Sequence, residues 1–306
     1  MSDLVVVAIP CYNEAVTIAK VIRDFRKVLP DARICVFDNN STDGSAAIAA
    51  ALGVEVIRVY RQGKGYVMRE IFMRIKCAAL VVVDGDDTYF AEEVLLLLAP
   101  VLKGDADMVV GDRLKKADPQ SLKQLNRFGN YLIVGLINRI FGAVYEDILS
   151  GYRVFSREFV ASVPLLCPGF ETETEITLQA LEGEMRVVEI PVSYRNRPEN
   201  SASKLRPFRD GLRIMITAGM LLRDHHPLRL YGFIGGICFL VASGAAFLKF
   251  WGYAVDVTVS QTVTAGLILL FAPLGMIALG IGLTLSAVNT RFREVRQIMR
   301  RDHAER

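Results

Sequence analysis

The chain has 306 residues, enough for one large domain or two, and 52% of them are hydrophobic, a high share for a purely soluble protein. A formal net charge of +3 is too small to point to nucleic acid. Five cysteines (Cys11, Cys35, Cys77, Cys167, Cys238) lack metal-ligand spacing, and their odd number argues against a disulfide framework and for reduced, cytosol-facing thiols.

Residues 4–9 form an apolar run of strand length that Pro10 ends early. No basic region precedes it, so it reads as a strand and not a signal peptide. A helical pattern follows over 15–29, with Asn13 as its expected N-cap. The next strand, 34–37, ends in Asp38-Asn39-Asn40-Ser41-Thr42-Asp43-Gly44, a polar turn that leads into an alanine-rich helix. A third strand over 54–60 ends in Arg61-Gln62-Gly63-Lys64-Gly65, and another helix follows. Residues 80–83 are apolar and rich in β-branched side chains, as in a strand buried on both faces. That strand runs into Asp84, Asp86 and Asp87. A helix over 91–102 and a strand over 107–110 complete the pattern. Strands alternating with helices predict a doubly wound, mostly parallel α/β sheet.

In such a sheet the loops after the first four strands share one edge, where open α/β sheets bind ligands. Tyr12, Asn13 and Glu14, then Asp38 and Asn39, then Gln62 and Lys64, then Asp84 and Asp86 therefore converge on one crevice. Clustered carboxylates repel unless a cation or hydrogen-bond donors compensate them, and Mg²⁺ or Mn²⁺ is commonly held by one or two carboxylates and a substrate diphosphate. The residues alone leave a second reading open, an acidic turn that caps the next helix. The chain has no Gly-x-Gly-x-x-Gly after its first strand and no Gly-Lys-Ser/Thr loop, so dinucleotide-fold and P-loop readings lose support.

The order and spacing of Ile9-Pro10-Cys11-Tyr12-Asn13-Glu14, Asp38 to Gly44, Gly63-Lys64-Gly65 and Asp84-Gly85-Asp86 resemble the family-2 glycosyltransferases of GT-A fold. Further on come Gly111-Asp112-Arg113, a helical stretch over 122–141, and Asp147-Ile148-Leu149-Ser150-Gly151-Tyr152-Arg153. Gly169-Phe170-Glu171-Thr172-Glu173-Thr174-Glu175, a strand over 187–194, and a basic loop with Arg195, Arg197, Ser203 and Lys204 follow. This second set resembles the dolichol-phosphate mannose synthase branch and its bacterial relatives, which glycosylate polyprenyl phosphates.

That resemblance implies a metal held by Asp84 and Asp86 against the donor diphosphate, with Asp86 the firmer ligand and Asp84 also near the ribose. Thr88 stands where some relatives place a longer metal-contacting side chain, which leaves the third ligand open. Asp38 matches the residue that accepts a hydrogen bond from the nucleobase, with Pro10, Tyr12 and Glu14 lining the pocket; read without the family it is a turn or capping acid. Lys64 either contacts the donor or is solvated. Arg113, Arg197 and Lys204 fall to the acceptor phosphate and the diphosphate, which arginine's planar fork grips in pairs. Asp147 belongs near the reacting centre, and Arg153 pairs structurally with a carboxylate.

Residues 230–250 and 263–288 are each long enough to span about 30 Å of hydrocarbon as helices. The connecting loop over 251–262 has no Lys or Arg, whereas Arg223, His225, His226 and Arg229 precede the first span and Arg291, Arg293, Arg296, Arg300 and Arg301 follow the second. The positive-inside rule puts both ends on the cytoplasmic side. The expected organisation is a cytosolic catalytic domain over 1–206, a juxtamembrane amphipathic helix over 207–229, two spans over 230–288 and a basic tail over 289–306. The Gly-x-x-x-Gly spacing of Gly232 and Gly236 permits close helix packing and is compatible with a small homo-oligomer. The function expected is inverting, metal-dependent sugar transfer from a nucleotide-sugar, UDP-linked in preference to GDP-mannose, to polyprenyl phosphate. A membrane glycosyltransferase with a glycan or diacylglycerol acceptor, or a non-catalytic nucleotide-sugar-binding scaffold, are the competing readings.

Overall fold

The computed structural model describes residues 3–115, 134–135, 137–139, 142, 144–169, 172–198, 216, 219–220, 222–223, 226–255 and 261–304. Lys204, Glu171, His225, most of the helix expected over 122–141 and most of the juxtamembrane segment lie outside them. The chain divides into two compact units, Met1–Ala218 and Gly219–Arg306.

The first unit is built on a 7-stranded sheet in the order β3-β2-β1-β4-β6-β5-β7. Its strands are β1 (Asp3–Cys11), β2 (Arg33–Asp38), β3 (Glu55–Arg58), β4 (Cys77–Val82), β5 (Met108–Asp112), β6 (Arg153–Ser156) and β7 (Val187–Pro191). β1 pairs in parallel with both β2 and β4, and β2 with β3, so the expected shared edge for the first four loops forms. The chain moves outward from β1 to β3 and then crosses back to β4. The β1/β4 junction is therefore the point where strand order reverses and a ligand crevice opens.

β6 was not expected. It runs antiparallel between β4 and β5, with Arg153 opposite both Val82 and Val110. Because it is antiparallel, it begins at the edge where its neighbours end. The loop before it, which carries Asp147 and Gly151, is thereby delivered to the crevice.

Side chains alternate across β1 and bury both faces of the sheet. Val7, Ile9 and Cys11 pack under α1 (Ile18–Val28) and α4 (Val94–Leu102), joined by Phe25, Val94 and Leu97. Val6 and Ala8 face α3 (Lys64–Arg74), α5 (Arg157–Ser162) and α6 (Thr172–Glu182), with Ile71, Phe159 and Ile176. A short α2 (Ser45–Ala51) covers the β2/β3 end, and a 3-10 turn at Ala91–Glu93 precedes α4, where the sequence suggested one helix over 91–102. Helix α1 starts at Ile18, and its N-cap, Thr17, makes no side-chain cap hydrogen bond. Asn13 is not the cap. Its side chain instead accepts the backbone N–H of Thr42 at 2.8 Å and ties the β1 loop to the β2 loop.

In the second unit, α7 (Pro227–Val255) and α8 (Gln261–Ala304) are long and apolar enough to cross a membrane. Helix α8 continues through the basic segment expected as a tail. The two helices meet at glycines, Gly235 of α7 and Gly275 of α8. A Cβ on Gly235 would lie 3.1 Å from the Gly275 carbonyl oxygen, and one on Gly275 would lie 3.2 Å from that of Gly235, whereas nothing lies within 4 Å of Gly232 or Gly236. Overpacking a close helix contact costs about 1–3 kcal/mol. In detergent, Gly235→Leu is therefore expected to raise hydrogen–deuterium exchange across α7 and α8, while Gly232→Leu leaves it at the wild-type level.

Candidate functional site

The β4 strand ends at Val82, and Val83 to Asp87 turn across the crevice as a buried acidic loop. Asp86 is 3% exposed and Asp87 6% exposed. The turn needs unusual backbone: Asn13, Asn40 and Asp87 all adopt positive φ, at 54°, 60° and 59°, in the loops after β1, β2 and β4. Asn and Asp tolerate this left-handed region better than other non-glycine residues, which accounts for their use at these tips.

Each carboxylate has its own set of partners. Asp84 Oδ1 is 2.7 Å from Lys64 Nζ, which is also 2.6 Å from Glu173 Oε1 of α6. Lys64 is thus neither solvated nor pointed at open space; it is a buried clamp between two acids. Burial alone would lower its pKa, but Asp84 and Glu173 outweigh that and raise it; burial pushes the Asp84 carboxyl up, but the charge and hydrogen bond of Lys64, with Arg197 and Arg113, together hold it below its usual range. The second oxygen of Glu173 is buried with no hydrogen-bond partner among the described residues. Glycines make room for this packing: a Cβ on Gly151 would collide with the Asp84 carboxylate, and one on Gly65 with the Cys167 carbonyl.

Asp86 Oδ1 accepts from Thr88 Oγ1 at 2.7 Å and from the Thr88 N–H at 3.2 Å, and its Oδ2 is ion-paired with Arg197 Nη2. Arg197 Nη1 also lies 3.5 Å from Glu14 Oε1. Burial and the neighbouring Asp84 charge raise the Asp86 pKa in spite of Arg197. Thr88, at the position left open for a third ligand, donates its hydroxyl to Asp86. Asp87 is an anchor, held by Lys20 at 2.9 Å and Arg195 at 2.6 Å.

Arg113 and Asp147 meet in a bidentate pair. Arg113 Nε donates to Asp147 Oδ2 at 2.7 Å and Nη2 to Oδ1 at 2.8 Å, with the Arg113 backbone N–H adding a bond to Oδ2 at 3.1 Å. The guanidinium also lies 5.5 Å from the Tyr194 ring centroid. Asp147 is wholly buried, and Glu189 of β7 fixes its loop by accepting the N–H groups of Glu146 and Asp147. Arg153 is also buried, but its described partners are not carboxylates. It donates to the carbonyls of Ser150 at 2.9 Å and Ile148 at 2.6 Å and to Thr177 Oγ1 at 2.9 Å, bracing the loop before β6.

At the β1/β2 side, β1 continues through Pro10, opposite Phe37, and ends at Cys11, beyond the run over 4–9 that the sequence suggested; Tyr12 is 38% exposed and Glu14 is buried. Asp38 is 1% exposed and its oxygens sit 3.3 and 3.4 Å from the Ser41 N–H, the contacts of a turn acid. Asn39, next to it, accepts the Gly63 N–H at 2.8 Å and so joins the β2 loop to the start of α3.

The structure thus forms two contact sets on the acidic loop, Lys64 with Asp84 and Glu173 and Arg197 with Asp86 and Glu14, and places Arg113 and Asp147 together as a pair. Glu173 and Glu189 are the site residues that the sequence reading underweighted or missed. A lone acid in the otherwise apolar β7 was the available signal for Glu189. Among the described residues no group of three His, Cys, Asp or Glu is placed to hold a metal alone. The two carboxylates fit a hard divalent cation that takes its other ligands from a diphosphate and water.

Breaking a buried ion pair by removing one partner costs about 3–5 kcal/mol. Asp147→Asn is expected to lower the unfolding free energy by that order near neutral pH. Burial pushes the Asp147 pKa up, but Arg113 outweighs it and the net shift is downward. The stabilisation is therefore present above the ordinary carboxyl pKa of about 3.9 and is lost as pH falls through the lower folded value. Denaturant unfolding of both chains should show the gap at pH 7 and its narrowing below about pH 4.

The model of "Glycosyl transferase family 2" matches residues 6–163. Glycosyltransferase AglJ of Haloferax volcanii is 36% identical over 234 residues, covering 76% of this chain and 77% of that protein. The polyprenol monophosphomannose synthase of Mycolicibacterium smegmatis is 27% identical and covers 65% and 80%. Among solved structures, glucosyl-3-phosphoglycerate synthase of Mycobacterium tuberculosis, in complex with Mn²⁺ and UDP-glucose, aligns with a TM-score of 0.56 at 21% identity over 71% of this chain and 79% of that one, a likeness of fold. With the crevice, its paired carboxylates and these matches together, the chain belongs to glycosyl transferase family 2.

Proposed function

We propose that this glycosyltransferase moves a hexose from a nucleotide-sugar to the phosphate of a polyprenyl phosphate at the cytoplasmic face of a membrane. The observation that carries this reading is the buried Asp84/Asp86 loop at the β1/β4 switch point, with cationic side chains on both acids and a second arginine–acid pair, Arg113–Asp147, in the same catalytic unit. The names of relatives support the acceptor: besides the mannose synthase, a dolichyl-phosphate hexose transferase of Haloferax volcanii is 27% identical over 69% of this chain and 91% of that protein. Two candidate spans give such a lipid a route to the enzyme, and the arginines that flank them favour cytoplasmic ends.

Asp84 and Asp86 would hold Mg²⁺ or Mn²⁺, which when bound neutralises the charge that develops on the departing diphosphate. An oxygen of the lipid phosphate forms the bond to the anomeric carbon as the bond from that carbon to the diphosphate oxygen breaks, and the electron pair leaves with the nucleoside diphosphate. Direct displacement inverts the anomeric configuration. The attacking phosphate is already anionic near neutral pH, so its needs are guidance and charge compensation more than a general base. Arg197 and Arg113 supply cationic donors for phosphate oxygens, and Lys204 is assigned the same role from its place in the sequence. Asp147 holds the Arg113 fork in one orientation. Pro10, Tyr12, Glu14 and Asp38 are assigned to the base and ribose. Uridine is the base proposed, and the mycobacterial neighbour that was solved with UDP-glucose supports that choice.

Asp86→Asn keeps the size of the side chain and its contacts with Thr88 but removes the charge. It is expected to lower turnover of lipid-linked sugar by about 10²–10³-fold, the scale of losing a transition-state charge contact, with an unchanged circular dichroism spectrum. Wild-type turnover in the variant, measured with divalent metal present, would contradict the assignment.

A further inference from the structure

Both oxygens of Asp86 are already in use. Thr88 donates twice to Oδ1, and the Arg197 guanidinium covers Oδ2 while also reaching Glu14. This placement is built in, not a chance contact of a surface side chain. Two residues earlier, Arg195 donates to Asp87 Oδ1 at 2.6 Å and to the Asp87 carbonyl at 2.6 Å, and its backbone N–H donates to the Thr88 carbonyl at 3.0 Å. Tyr194 forms a bridge with Tyr89. The segment that follows β7 is therefore zipped along the acidic loop. With Arg195 pinned on Asp87, Arg197 two residues further on reaches Asp86.

We propose that Arg197 is an internal placeholder for the divalent cation, so that the site takes the metal as its nucleoside diphosphate complex and discriminates against the bare ion. The inference rests on the reading of Asp86 as a metal ligand. A bare cation has to displace the Arg197 guanidinium from Asp86 Oδ2 and offers that guanidinium no new partner in return. A nucleoside diphosphate brings the missing compensation. Its phosphate oxygens match the planar fork of arginine, so Arg197 passes from carboxylates to phosphate as the metal passes onto Asp86. The exchange gives Asp86 and Arg197 each a new partner of opposite charge at its end. It also orders the reaction: the guanidinium becomes available to phosphates only after the donor complex has arrived.

The test is the affinity of the full chain in detergent for Mn²⁺, read from the electron paramagnetic resonance signal of the free ion, with and without UDP or GDP. In the wild type, nucleoside diphosphate should tighten Mn²⁺ binding by about tenfold or more, within the usual range of coupling between two ligands. Arg197→Gln should tighten binding of Mn²⁺ alone by about tenfold and shrink the effect of the nucleotide. Arg197→Lys, which keeps the charge and loses the fork, should fall between the two and guards against a folding defect in the first variant. Unchanged or weaker binding of Mn²⁺ alone in Arg197→Gln would overturn the placeholder. Asp86→Asn separates the two levels: wild-type Mn²⁺ binding in that variant would overturn the metal reading itself.

Discussion

A buried carboxylate, Asp86, and a half-buried one two residues before it, Asp84, repel each other unless something opposes their charge, and the organisation of this site follows from that constraint. Asp84 is answered by Lys64, from the start of α3, and Lys64 in turn by Glu173 of α6. Asp86 is answered by Arg197, from beyond β7. The acidic loop is thus the junction at which segments remote in sequence are joined. The two acids also shift in opposite directions: at Asp84 Lys64, Arg197 and Arg113 outweigh burial and lower the carboxyl's pKa, whereas burial and Asp84 raise that of Asp86. Of the two, Asp86 gains more from a cation.

The fold supplies rigid support for that loop. Parallel strands β1 to β4 bring their carboxyl ends to one edge, and the antiparallel β6 enters from that same edge with Gly151 packed on Asp84. Arg153 holds the approach to β6 through backbone carbonyls, and Tyr89 contributes by accepting the Gly151 N–H at 3.1 Å. A charged group as large as arginine at 2% exposure is costly to desolvate, and burial lowers its pKa. Its donors are spent on positioning the loop that carries Asp147.

Much of this was legible in the sequence, for physical reasons. The apolar runs that became β1, β2 and β4 are buried on both faces, and continuous hydrophobicity marks such strands. The polar residues after them had to share an edge once the strands were parallel. β6 escaped because it has four residues and begins with an arginine, which resembles a loop more than a buried strand. The partnerships escaped because charge pairing at long range leaves no periodic trace: Asp87 is met by Lys20 and Arg195, and Lys64 by Glu173, across most of the catalytic unit. Within the chain the close α7–α8 contact is made by Gly235 and Gly275, a pairing that the glycine spacing along one helix does not reveal.

The account reduces to one chemical claim, that a sugar leaves a nucleoside diphosphate and arrives on a lipid phosphate. Purified chain, polyprenyl phosphate, Mg²⁺ or Mn²⁺ and a panel of UDP- and GDP-sugars, analysed by mass spectrometry of the lipid fraction, test it most directly. The account predicts a polyprenyl phosphate heavier by one hexose, formed only with divalent metal and released by mild acid as expected for a glycosyl phosphate. Lipid of unchanged mass with every donor, from protein that still binds nucleotide, would contradict it.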